Sequence, residues 1–218
     1  MIQEQTTLVT LSAERNLAQI KRFAGIPVKA YKDPEAAKAM EASFLLLSEC
    51  LQELPKEAEG KVLYTTVPVG ISHHPHEGQT VVSLGPLTVV SEDLGRLLED
   101  CKEAVLIAAT AGLSYDRLIR RYAHLSPAKA LWFQAIGADA IEAVLDRFCL
   151  ELSQEESPLT PRFSPGYGDL PLAFQRDLFR LLEPEQLLGL TLNESLLMTP
   201  TKSVTAILGI KGDHHASD

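Results

Sequence analysis

Apolar and polar residues along the chain follow two periods, and the places where one gives way to the other outline the fold. β-Branched residues with Tyr64 predict a strand over 62–69, and a second over 79–84. An unbroken apolar run over 104–109 predicts a strand buried on both faces. Near the C-terminus Val204, Ala206, Leu208 and Ile210 alternate with Ser203, Thr205 and Gly209, which predicts a strand with one apolar face.

The helical period predicts a helix over 12–23, ended by Gly25 and Pro27, and another over 34–54 with Asp33 as N-cap and Pro34 at its first position. Residues 55–60 read as a polar break. Ser91-Glu92-Asp93 opens a helix with a cap and first-turn acids, and Ser114 is expected to cap the helix that follows the Thr110-Ala111-Gly112 connection. Ser126-Pro127 opens the longest helix, running to about 152, with Leu131, Ala138, Ile141, Leu145, Phe148 and Leu152 on one stripe. Asp139, Glu142 and Asp146 share an adjoining stripe, where like charges repel, so it faces water or one member answers a cation. Phe174, Leu178 and Leu181 mark a short amphipathic helix. The sum is an α+β fold, a twisted and mainly antiparallel sheet flanked by helices. Residues 1–30 are expected to form an N-terminal appendage, 31–210 the main domain, and 211–218 a frayed tail.

Composition narrows the class. An apolar fraction of 45% and a charged fraction of 22% describe an ordinary globular chain. A net charge of -9, with acids spread along the chain, argues against nucleic acid or an anionic membrane as partner. No apolar run reaches bilayer length and the first ten residues lack a leader pattern, so a cytoplasmic location is expected. Cys50, Cys101 and Cys149 are far apart with no CxxC pair, which fits reduced thiols and excludes a zinc knuckle. Arg117, Arg120, Arg121 and His124 form a basic helix face, either solvated or open to an acidic partner. His73, His74 and His76 flank a proline, and His214 and His215 lie in the tail. A structural metal site needs ligands on rigid elements, so no metal is expected, and a small metal-dependent hydrolase is a distant option.

Between the long helix and the C-terminal strand lies Arg162-Phe163-Ser164-Pro165-Gly166-Tyr167-Gly168. Pro165 and the two glycines set an unusual backbone path, and an arginine there can grip a carboxylate through two parallel hydrogen bonds. Downstream come the Leu192-Asn193-Glu194-Ser195 run and Met198-Thr199-Pro200, then Ser203-Val204. In this order and spacing the motifs resemble the activation domain of cobalamin-dependent methionine synthase, its C-terminal S-adenosylmethionine-binding module, most specifically over 116–210.

The resemblance implies S-adenosylmethionine as ligand. Arg162 would clamp its carboxylate and Glu142 would be the contacting helix acid. Ser164 would give backbone contacts, with Pro165, Gly166 and Tyr167 shaping the loop. It also implies a free-standing activation subunit that docks on a separate cobalamin-binding methyltransferase, since no Asp-x-His-x-x-Gly run is present to ligate cobalt. There an inert cob(II)alamin receives an electron from a flavodoxin-like donor, and the reduced cobalt takes the methyl group. The protein would supply proximity rather than a nucleophile, so no catalytic side chain is assigned. Where the family continues into a Lys-Tyr-Tyr-type run that brings a further tyrosine to the ligand, this chain has Gly209-Ile210 and a polar tail, so that contact is expected to be missing or replaced. The competing expectation is a non-catalytic interaction protein that docks on a corrinoid protein without binding S-adenosylmethionine.

Overall fold

One long strand, β2 (Ala58–His74), sets the architecture of the computed structural model, which describes residues 6–27, 32–74, 79–155 and 158–212. β1 (Thr7–Ala13) and β3 (Gln79–Leu84) share one edge of β2, and β5 (Cys101–Thr110) takes the other. β4 (Leu87–Val90) extends the sheet beyond β3 and β8 (Ser203–Lys211) beyond β5, and every pairing is antiparallel. The fold is α+β, as the residue pattern predicts.

Helices cover both faces. On one face α1 (Leu17–Phe23), α3 (Glu41–Gln52) and the long α6 (Pro127–Glu155) bury Ile20, Leu47, Phe133, Ile136, Val144 and Leu145 against Val62, Val105 and Ile107 of the sheet. On the other, α4 (Glu92–Leu98) and α7 (Gln175–Leu182) bury Leu94, Leu98 and Leu178 against Val67, Leu106 and Ile207. Alternate residues of β5 therefore enter opposite cores, which is why its sequence is apolar without a break. Gly60 lets β2 and α6 approach closely, since a Cβ there would lie 2.9 Å from Val144 Cγ2. α5 (Ser114–Leu125) precedes α6, and Tyr122 and Phe133 stack across the two helices at 5.4 Å. α2 (Pro34–Ala39), α8 (Pro184–Leu188) and a small β6–β7 hairpin (Thr191–Leu192 with Met198–Thr199) complete the described elements.

Several expectations are corrected. The helix over 12–23 is present but shorter: Ser12 and Ala13 end a strand, β1, and α1 starts only at Leu17, where Asn16 caps it through Ala18 and Gln19 N–H. Thr and Val in Thr7–Ala13 suit a pleated strand, and β2 offers it an edge. Residues 7–26 are thus built into the same sheet and core instead of standing apart as an appendage, with Ile20 fully buried. The helix over 34–54 divides at Met40 into α2 and α3; Asp33 does cap it, accepting from Glu35 N–H at 2.9 Å. β2 runs past both ends of the predicted strand, absorbing the end of the polar break and Ser72 to His74. β8 is buried on both faces, because α7 and the 163–174 segment cover the side expected to be polar. Ser114 starts α5 without capping it. Leu131 is exposed, and Trp132, Phe133 and Ile136 carry the early burial of α6. The 211–218 tail falls outside the described residues beyond 212. Among the described residues no helix is long and apolar enough to cross a membrane.

Candidate functional site

Arg162 is positioned by the edge of the sheet. The segment 158–164 leaves α6 and runs along β8: Thr160 N–H donates to Gly209 O at 2.9 Å, and Phe163 exchanges backbone bonds of 2.9 and 2.8 Å with Ile207. These bonds cover an otherwise open strand edge and fix the Arg162 backbone between them. Its guanidinium turns back to α6, with Nη2 2.7 Å from Glu142 Oε2 and Nη1 2.8 Å from Asp146 Oδ1. Four residues apart, the two acids stand one above the other on the helix. So two members of the acidic stripe answer a cation. The third, Asp139, is buried and accepts the Asn16 backbone N–H, tying α1 to α6. Burial pushes its carboxyl up to about 6.

Burial opposes the charge on Arg162, but its bonds to Asp146 and Cys149 outweigh that and hold its protonation above the ordinary arginine range. Cys149 Sγ lies 3.8 Å from Nη1; burial raises that thiol and the guanidinium partly offsets the rise.

The loop beyond Arg162 is anchored at both ends. Phe163 holds one end on β8, and Asp169 holds the other on the N-terminus of α4. Asp169 accepts from Ser91 Oγ at 2.5 Å and from Glu92 N–H at 2.6 Å, and these donors hold its carboxyl below the ordinary range, the Ser91 hydroxyl contributing most. Between the anchors Tyr167 N–H closes a turn onto Ser164 O at 3.0 Å, and Gly166 takes φ +94°, a conformation that side chains disfavour. Pro165 is buried, while the Tyr167 ring is exposed and meets Phe163 edge-on at 6.5 Å.

Opposite this loop stands the β6–β7 hairpin. Asn193 Oδ1 accepts Leu197 N–H at 2.9 Å, and Leu196 is held at φ +63°, a strained value for a branched side chain. Below it Asp116 accepts from Thr201 N–H at 3.1 Å, and the Lys202 stem packs on Gly137 of α6 while its ammonium donates to Gln134 Oε1 at 2.6 Å.

Loop, hairpin, α6 and β8 enclose a cleft of about 720 Å³. Glu142, Arg162, Ser164, Pro165, Gly166 and Tyr167, singled out from the sequence, all line it. Sequence reasoning did not find Gln175, Leu196, Leu197 or Thr201, which line it too. Gln175 is a polar residue buried on α7, and Leu197 is exposed, both against the usual habit of their types; that signal is visible only once burial is known.

A second cavity, about 620 Å³, adjoins the cleft along α6 and is lined by Asp146, Asp139 and Asn16. Asp146 thus borders the second cavity while bonding the arginine of the first. The basic face of α5 is solvated, with Arg117, Arg120, Arg121 and His124 all exposed. In the histidine segment, His73 Nδ1 lies 3.1 Å from Thr80 Oγ1; the His74 side chain, His76, His214 and His215 fall outside the described residues. Among the described residues no group of three or more His, Cys, Asp or Glu could hold a metal.

No protein-family model matches the chain, and no curated protein matches it. Thirteen chains of solved structures do. One is a crystal structure of the MetH reactivation domain bound to AdoHcy. It superposes at a TM-score of 0.66 with 16% identity, over 97% of this chain and 80% of that one. The chain has the reactivation-domain fold.

Proposed function

We propose that the Arg162 cleft binds S-adenosylmethionine and that the protein serves as an activation subunit for a separate cobalamin-binding methyltransferase. Reductive remethylation of cob(II)alamin would use a flavodoxin-like electron donor. The observation that carries the reading is the convergence of Arg162, Glu142 and the Ser164–Tyr167 loop on one cleft. The likeness to a domain whose structure holds AdoHcy supports it. The corrinoid on the partner would supply the methyl-accepting chemistry. This chain's residues bind and orient: the Arg162 and Glu142 pair addresses the amino-acid end, and Tyr167, Leu196 and Leu197 offer apolar surface to the rest.

Calorimetry with purified protein tests the site. Saturable binding of S-adenosylmethionine is expected, and Arg162→Ala should weaken it about tenfold or more, the worth of a charge-assisted contact. One feature favours a second reading, a docking protein without the ligand: both terminal nitrogens of Arg162 are already taken by the chain's own carboxylates. Absence of binding at millimolar ligand would leave that reading standing.

A further inference from the structure

The charge balance at Arg162 points to a property the cleft's lining does not reveal. One guanidinium faces two carboxylates, leaving the trio one negative charge in excess. Glu142 lines the cleft with Arg162, whereas Asp146 does not. Asp146 binds Nη1 at 2.8 Å from one turn further along α6, its side chain 66% exposed and bordering the second cavity. From there it offsets the positive charge of Arg162 without touching anything bound in the cleft. What a ligand meets is an arginine whose attraction for a carboxylate is weakened, beside an acid, Glu142, partly exposed to the cleft.

We infer that Asp146 sets the charge preference of the cleft, making it select the sulfonium form of its ligand over the uncharged thioether. This rests on the reading of the cleft as an S-adenosylmethionine site. The two forms share a carboxylate, an ammonium and an adenosine, and differ by the methyl group and the positive charge on sulfur. A negative excess favours the form carrying the extra cation, and the thioether gains nothing from it. The site would thereby release the demethylated product in preference to the methyl donor. Asp146 acts through Arg162 and is a positioning residue. No other charged partner is seen for Arg162 among the described residues, so Asp146 and Glu142 together define the balance.

The test is the ratio of dissociation constants for S-adenosylhomocysteine and S-adenosylmethionine, measured by calorimetry on wild type, Asp146→Asn and Asp146→Ala. Wild type should prefer the sulfonium. Both variants should lower the ratio by about three- to fivefold, the range for an exposed ion pair. They should also bind S-adenosylhomocysteine more tightly than wild type, because Arg162 is released to its carboxylate. A variant that merely damaged the structure would weaken both ligands, so the gain separates charge from folding. Added salt should lower the wild-type ratio and leave the variants' nearly unchanged. An unchanged ratio, or weaker binding of both ligands with wild-type melting behaviour, overturns the role of Asp146 while the site stands. Failure of all three proteins to bind either ligand at millimolar concentration overturns the site itself.

Discussion

Asp139 couples the N-terminal helix to the long one, and its ionisation makes that link dependent on pH. Its carboxyl is 1% exposed and bonds the Asn16 N–H at 3.2 and 3.3 Å, and burial raises it to about 6. A folded-state value above the unfolded one means that the folded protein holds its proton longer. The contribution is then fully present below about pH 4 and is lost as pH rises through about 6. Asp139→Asn keeps an acceptor for Asn16 and stays uncharged. Relative to this variant, wild type should lose on the order of 2 kcal/mol between pH 4 and 7 in denaturant titrations. Parallel curves for the two proteins across that window would show that the carboxyl is hydrated. The acidic stripe of α6 was legible as a stripe, but its three members have three different fates. Asp139 is tied to α1, Glu142 faces the cleft, and Asp146 borders the second cavity. Helical spacing places residues on a face; it does not say what the face meets.

Among the elements, the loop of 162–170 behaves as a strap between β8 and α4, and its far anchor can be cut. Asp169→Ala removes the acceptor for Ser91 Oγ and for the N–H groups of Glu92 and Asp93. Loss of about 1 kcal/mol of stability is expected, as for loss of a helix cap, together with weaker ligand binding from a looser loop. Because the Asp169 carboxyl is held below its ordinary range, its contribution is present at neutral pH and should fade as pH falls through that depressed value, a loss absent from the variant. Close packing of β2 on α6 gives a second test. Gly60→Ala brings a methyl within 2.9 Å of Val144 and 3.0 Å of the Thr110 carbonyl, and should cost about 1–3 kcal/mol in chemical denaturation. A neutral result would mean that α6 shifts freely over the sheet. Elements whose cues are local were legible: the Ser91 cap, the Asp33 cap and the Gln79–Leu84 strand stand where their residues predict. β1 was not, because a strand of mixed Thr, Leu and Val becomes one only when an edge is offered, and that edge lies some 45 residues onward at Ala58–Tyr64.

At the scale of the whole molecule the thiols report on cooperativity. Cys50 and Cys101 are buried in the cores on opposite faces of the sheet, and burial raises both, Cys50 to about 11. Each should resist a thiol reagent in the native protein and become reactive as the domain unfolds. Labelling of Cys50 well before Cys101 under mild denaturant would show the two cores opening separately. The amino-acid sequence by itself determined what depends on neighbours along the chain: the antiparallel α+β class, the doubly buried β5, the long helix after Pro127, and a proline–glycine loop carrying Arg162. Periodicity, caps and turn chemistry act within a few residues, so they can be read without a fold. Only the tertiary structure decided that residues 7–13 belong to the sheet, that Gln175 and Leu197 line one cleft with Arg162, and that Asp146 and Glu142 hold the guanidinium together. Strand pairing, burial and charge balance are contacts between distant segments, and a residue's chemistry announces the capacity for such a contact but never its partner.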